Sequence, residues 1–175
     1  TVLAGVALAA GAAPLKTDMA QSSVTATFRQ MNVPVEAKFT RFSAQIDYDA
    51  KEPDYSKARV EIDTASLDLG DPDMNREVAK PEWFSSAKYP KASFVSTTIR
   101  SPSPGKLSVA GKLLIKGKSI DVSFPLTMTV RGGKQVFEGQ LPIKRLSYKI
   151  GEGEWKDTSM VADDVLIKFR VTAAP

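Results

Sequence analysis

The feature that most constrains this chain is the spacing of its apolar residues. From Ser22 onward they recur at every second position, not every third or fourth. Val24, Ala26 and Phe28 alternate with Thr25, Thr27 and Arg29, and Ala58, Val60 and Ile62 with Arg59, Glu61 and Asp63. The longest run is Val122, Phe124, Leu126, Met128 and Val130; Phe137, Leu141 and Ile143 follow it, and Val165, Ile167, Phe169 and Val171 close the chain. Successive strand side chains point to opposite faces, so each run carries one apolar and one wet face, as antiparallel sheets do. The spacing predicts eight strands, near 23–29, 36–48, 57–69, 91–99, 106–116, 119–131, 135–148 and 162–172.

Turn chemistry separates the runs. Gly132-Gly133 suits a two-residue hairpin, because the favoured primed turns need positive φ. Lys116-Gly117-Lys118 reads as a second tight hairpin, while Ser101 to Gly105 and Glu52-Pro53-Asp54 punctuate two more pairs. One stretch breaks the period of two. Asp71 followed by Pro72 is a capped helix start, Pro81 resets it, and Glu82-Trp83-Phe84 offers a second turn. A short helical excursion is therefore expected between strands three and four. An eight-stranded sheet with one apolar face hides that face by closing on itself, which also removes its edges. The fold class is read as all-β: a closed antiparallel eight-stranded barrel. Such an interior is usually filled by side chains but can hold one small ligand. Alternation alone leaves both outcomes open.

Composition narrows the function. The chain has neither cysteine nor histidine. Disulfides, thiolate chemistry and Cys-type zinc sites are excluded, and the commonest general base and metal ligand are missing. No metal site and no catalytic residue is expected. The net charge of +4 is spread over 24 basic and 20 acidic residues, without the concentrated patch of a nucleic-acid reader. Residues 1–13, TVLAGVALAAGAA, carry no charge and are shorter than the roughly 20 residues of a spanning helix. They read as the remnant of a secretory signal, with Ala10 and Ala12 at the −3 and −1 positions and cleavage before Ala13. Residues 14–175 form the barrel domain.

Three stretches resemble the YceI family of lipocalin-like, polyisoprenoid-binding proteins. The first is Val60-Glu61-Ile62-Asp63-Thr64-Ala65-Ser66-Leu67-Asp68 with, after the excursion, Trp83-Phe84-Ser85-Ser86-Ala87-Lys88-Tyr89-Pro90 running to Phe94-Val95-Ser96. The second is Leu107 to Gly117, running into Val122-Ser123-Phe124-Pro125-Leu126. The third is Ile143 to Gly151 together with the last strand, Val165 to Val171. The resemblance spans about residues 18–172 and implies a lipocalin-like barrel exported to the periplasm. It implies no cofactor beyond a bound isoprenoid lipid, a polyprenol or an isoprenoid quinone, carried or stored without covalent chemistry. A membrane cytochrome b is the implied protein partner, nucleic acid is not a partner, and the chain would act as a monomer or homodimer. The family usually carries Arg-Asp-x-His-Leu before its aromatic pair; here Asn75-Arg76-Glu77-Val78-Ala79 stands there, without the His. Tyr148 stands where Phe is usual.

On this resemblance the apolar stripe becomes a ligand-binding lumen rather than a packed core. Its candidate residues are Phe28, Phe39, Phe42, Val60, Ile62, Phe94, Leu113, Ile115, Phe124, Leu126, Phe137, Leu141, Ile143, Ile167 and Phe169, with Trp83 and Phe84 over one end. Arg145 shares the parity of Phe137, Leu141 and Ile143 and should point inward. A buried Arg needs a partner. Either a ligand head group at the barrel mouth or an internal carboxylate would serve, and the ion pair is the favoured reading. Trp155 is a candidate lid over the same mouth. Two rivals from other classes stand beside this reading. One is an eight-stranded outer-membrane barrel, which alternates with its apolar face outward. The other is a carboxylate hydrolase using Glu152 with Glu154 or Asp163 with Asp164, pairs that sit in turn-like sequence.

Overall fold

The structure, a computed structural model, describes residues 14–175. The expected signal segment and its cleavage site lie outside the described residues. The strands are β1 (Pro14–Gln30), β2 (Val33–Phe39), β3 (Phe42–Asp47), β4 (Lys57–Asp63), β5 (Leu67–Asp68), β6 (Lys91–Ser103), β7 (Lys106–Ile115), β8 (Lys118–Arg131), β9 (Lys134–Lys144) and β10 (Val161–Ala174), with one helix, α1 (Pro72–Val78). These ten segments make eight strands. β2 and β3 both pair with β1 and are halves of one strand broken at Thr40–Arg41. β4 and β5 are halves of the next, broken by a 3-10 turn at Thr64–Ser66. The two breaks lie side by side and hold each other: Thr40 N donates to Ser66 O and Asp63 N to Arg41 O, both at 3.0 Å. Every other neighbour is antiparallel, and β10 returns to β1 from Lys16–Ala174 to Gln30–Val161. The sheet closes, and all eight predicted strands are present.

Local chemistry explains where the strand ends differ from expectation. β1 starts nine residues earlier than its alternation suggests, because a bulge between Asp18 and Ser23 interrupts the period. Hydroxyls bridge that bulge: Ser22 Oγ donates to Asp18 O (2.7 Å) and Thr172 Oγ1 to Gln21 O (2.9 Å). β6 continues to Ser103, since Pro104-Gly105 alone makes the turn and Pro102 falls in an unpaired irregularity where its missing N–H costs nothing. β9 stops at Lys144 rather than 148, and Arg145–Tyr148 coil into a 3-10 turn that ends at a left-handed Lys149. The helix start is as expected: Asp71 accepts from Asp73 N at 2.8 Å, with Pro72 in the first turn.

The apolar face points inward and forms the core. Charges face out, with Arg59 beside Glu61 (2.8 Å) and Lys112 beside Asp121 (2.7 Å) on the outer surface. A membrane barrel places its apolar band on that surface. The outer-membrane reading is therefore set aside. One stretch of wall is not sheet. β4 pairs with β6, but β5 pairs only with β2. α1 and the turns up to Pro90 lie beyond β5, where Val78 and Phe84 pack against the cluster of Val24, Ala37, Phe39 and Leu67.

Candidate functional site

The middle of the barrel is built from alternating large and absent side chains. Phe94 on β6, Phe124 on β8 and Phe169 on β10 form a row, with ring centroids 5.4 and 5.1 Å apart. The strands between them carry glycine. A Cβ on Gly111 of β7 would lie 2.6 Å from the Phe94 ring and 2.3 Å from Val95 O, and one on Gly139 of β9 would lie 2.5 Å from the Phe169 ring. The glycines let the rings lie flat along the wall instead of filling the middle.

What remains is a cavity of about 180 Å³ whose exposed lining is wholly apolar. One water needs roughly 10–15 Å³ on the same scale, so this space exceeds a packing defect. An apolar void of this kind accepts apolar guests. Of the residues expected in a lumen, Phe28, Phe39, Val60, Ile62, Trp83, Phe84, Phe94, Leu113, Ile115, Phe124, Leu141, Ile143, Ile167 and Phe169 line it. Phe42, Leu126 and Phe137 do not. Phe42 packs against the cluster around Phe39 and Leu67. Phe137 joins Ile46, Leu107 and Val171 in a solid plug at one end, with Leu126 against it and Tyr48 edge-on at 5.4 Å. The lumen is thus part of the interior, not all of it.

Arg145 closes the other end. It is 2% exposed and lines the cavity, as parity predicts, and its partners within the protein are backbone carbonyls rather than a carboxylate. Nε donates to Ala162 O (3.0 Å), Nη1 to Ile150 O (2.9 Å) and Gly151 O (3.4 Å), and Nη2 to Trp155 O and Val161 O (both 2.7 Å). A guanidinium has five N–H donors, and all five are engaged. The ion-pair expectation is corrected on this geometry: the side chain ties the β9–β10 loop to the start of β10 by their backbone carbonyls. Burial lowers its pKa from arginine's ordinary value, and the nearby Asp163 carboxylate opposes that effect. Gly151 must be glycine here, with φ at +87° and Arg145 Nη1 only 2.2 Å from where a Cβ would sit.

The excursion is clamped to this loop. Gly151 N and Glu152 N both donate to Glu82 O, at 2.8 and 2.7 Å. Trp155 lies outside the cavity lining and packs at a tilt of 46° against Trp83, centroids 5.4 Å apart, and the Trp83 ring in turn sits 5.8 Å from the Arg145 guanidinium. The expected lid residue acts on Trp83, not on the cavity. Sequence reading missed Lys116. Its side chain is only 7% exposed, and Nζ donates to Pro81 O (2.8 Å) and Lys149 O (2.7 Å), tying excursion to loop. Its one sequence signal is the hairpin Lys116-Gly117, where Tyr89 rests against Gly117. Ile150, Val161, Leu67, Leu69 and Val78 also line the cavity and were not anticipated as site residues.

None of the four carboxylates lines the cavity. Glu152 and Glu154 lie outside the cavity lining, with Glu152 3.6 Å from Lys116. Asp163 accepts from Leu146 N at 2.9 Å, and Asp164 pairs on the outside with Lys144. Among the described residues, no three metal-ligating side chains cluster.

The YceI-like domain model matches residues 15–173. The chain belongs to the YceI-like family. It is similar to BcnA of Burkholderia cenocepacia, whose crystal structure superposes with a TM-score of 0.88 at 47% identity, covering 91% of this chain and 100% of that one. A YceI protein of Campylobacter jejuni (TM-score 0.73, 23% identity, 81% of this chain and 85% of that one) shares the fold. So does a polyisoprenoid binding domain from Saccharophagus degradans implicated in plant cell wall breakdown (0.70, 17%, 93% and 99%). A UPF0312 protein of Shewanella sp. (strain ANA-3) is 28% identical over 138 residues, 77% of this chain and 69% of that protein. Val78 lines the cavity, so the wall beside α1 is apolar.

Proposed function

We propose that this chain is a non-enzymatic carrier or reservoir for an isoprenoid lipid, a polyprenol or an isoprenoid quinone, held reversibly in the barrel and working in the periplasm. The observation that carries the reading is the apolar cavity, with a fully engaged Arg145 at one end and a packed apolar plug at the other. Isoprenoid tails offer only methyl, methylene and methine surface, and each buried carbon contributes about 0.8 kcal/mol. Ten carbons therefore supply roughly 8 kcal/mol before ordering costs, the scale of micromolar binding. The shared fold with a polyisoprenoid binding domain supports the same class of guest. A membrane cytochrome b fits as the partner that would exchange a quinone with it. Export follows from reading residues 1–13 as a signal, and release by osmotic shock tests it.

The deciding experiment is organic extraction of natively purified protein followed by mass spectrometry. A prenyl lipid in stoichiometric amount is expected; no prenyl lipid, and no uptake of added prenol, would sink the reading. Leu141→Trp sharpens it. Leu141 lines the cavity, so the added volume should displace the lipid while the fold survives. Unchanged lipid content in that variant would place the guest elsewhere.

A further inference from the structure

The barrel wall has a seam. β8 and β9 pair from Arg131–Lys134 back to Leu126–Gly139 and no further. Toward the Arg145 end, residues 118–125 pair only with β7 and residues 140–144 only with β10. The sequence explains where the ladder stops. Gly132-Gly133 closes a two-residue hairpin, so Arg131 and Lys134 face each other as a hydrogen-bonded pair, and so does every second pair beyond them. After Thr127–Glu138 the next pairs of that kind would be Pro125–Gln140 and Ser123–Pro142. Each contains a proline, whose missing N–H removes one of the pair's two bonds. A proline within a sheet marks an edge strand, and here one stands on each lip of the seam. The pair after these, Asp121 with Lys144, has both N–H groups and opposite charges, yet it is not formed. Asp121 turns instead to Lys112 of β7 (2.7 Å) and Lys144 to Asp164 of β10, so each charge is satisfied on its own side.

The cavity lies directly behind the seam, where Phe124 on one lip and Leu141 and Ile143 on the other line it. Across the open end of the seam runs the stretch from Arg145 to Lys149. It leaves β9 and reaches the β7–β8 hairpin, where Lys116 Nζ donates to Lys149 O at 2.7 Å. Tyr148 within that stretch is buried and packs in the cluster of Ile115, Leu141 and Ile143. We infer that the seam is a side gate: β8 and β9 part from Pro125 toward the Arg145 end, the 145–149 strap swings away with β9, and guests enter and leave through the gap. This rests on the proposed guest-binding reading and adds the route. Parting the lips breaks no paired ladder, and the apolar packing behind them is non-directional.

The chain has no cysteine, so thiol pairs can be introduced without background. Asp121→Cys with Lys144→Cys puts one thiol on each lip of the seam. Glu82→Cys with Glu152→Cys puts one on each side of the excursion–loop clamp, where Glu152 N donates to Glu82 O. Each pair is joined in the delipidated full chain with a short bis-maleimide that carries a reducible bond. Uptake and release of geranylgeraniol are followed by tryptophan fluorescence, since Trp83 lines the cavity. The seam link should slow both rates together by about tenfold or more, and the clamp link should change them by less than about twofold. Equilibrium affinity should stay the same under the seam link, and reduction should restore the rates. Pro125→Thr with Pro142→Thr is the second variant. It supplies the missing donors, so both new amides should resist hydrogen exchange and geranylgeraniol should move as slowly as with the seam link. Rates unchanged by the seam link, or slowed by the clamp link alone, overturn the side gate and leave guest binding standing. Protected amides with unchanged rates overturn it equally. Failure of the unlinked chain to take up geranylgeraniol overturns both.

Discussion

The two ends of the barrel are sealed by opposite kinds of physics. At the plugged end Ile46, Leu107, Phe137 and Val171 fill the interior with apolar contact, and Tyr48 closes over Phe137. Dispersion and burial are non-directional, so that seal is spread over many atoms and no single bond defines it. At the other end one side chain gathers five carbonyls from a loop and the strand that follows it, and a lysine pins the neighbouring excursion to the loop. Hydrogen bonds of this kind are directional and fail together when their donor is removed. The contrast identifies the end that can be opened locally: excursion and loop are held to each other by a few polar contacts, the plug by the strands themselves.

Arg145→Met is the strongest way to break this comparison. It keeps a long apolar stem but leaves five carbonyls without donors, and the expected loss is about 3–5 kcal/mol in denaturant melts. Hydrogen exchange should rise first across residues 145–161 and 80–90, and bound lipid should escape faster. Arg145→Lys retains charge with only three donors. Full rescue by Lys would mean that charge alone holds the loop, against the geometry described.

Phe137→Ala is the matching change at the plug. It should cost a similar 3–5 kcal/mol by leaving a void among close-packed residues. Here the loss should be global, with no selective loosening of 145–161, and lipid retention should persist. Earlier release of lipid from Phe137→Ala than from Arg145→Met would invert the assignment of the openable end. Gly111→Ala probes the wall between them. Its Cβ would meet backbone at Val95 O, which cannot rotate away, so overpacking of about 1–3 kcal/mol is expected with the Phe94 ring forced into the cavity. Melting and lipid capacity should fall together.

The sequence and the structure part company along the same line. Strand identity, hairpins and the helix start were legible because each is decided by neighbours in the chain: alternation, Gly132-Gly133, Asp71-Pro72. Which inward residues fill and which leave space was not. Phe137 and Leu141 share a strand and a parity, yet one lies in the plug and the other on the cavity. The difference is set by what faces each across the barrel, Tyr48 for the first and open space beside the phenylalanine row for the second. Arg145 was legible as inward and buried, but its partners were not, because backbone carbonyls of a loop leave no mark in side-chain chemistry. Lys116 was hidden for a related reason: a hairpin lysine reads as solvated, and only the arrival of Pro81 and Lys149 buries it.

The smallest effect expected comes from acid acting on the plugged end. Lys134 Nζ lies 2.7 Å from Asp18 Oδ2 and ties the start of β9 to the bulge of β1. That hydrogen bond, opposed by partial burial and helped by the lysine's charge, holds the Asp18 carboxyl below the ordinary aspartate value. A carboxyl whose folded pKa is depressed contributes stability above its unfolded pKa of about 3.9, and the contribution disappears as pH falls through the lower folded value. Wild type and Asp18→Asn should therefore differ slightly in Tm at neutral pH, by about 2 °C at most for so exposed a pair, and converge in strong acid. The Arg145 cage is built on carbonyls, which do not titrate, so exchange protection across 145–151 should stay level over the same range. Asp157, whose carboxyl is held below the ordinary aspartate value by hydrogen bonds from Ser159 Oγ and N, is the acid-sensitive point of the same loop, and loosening there should stay local to 157–159. Acid-induced loosening of 145–151 with the Asp18 end unaffected would show that a titrating group, and not the carbonyl cage, governs the openable end.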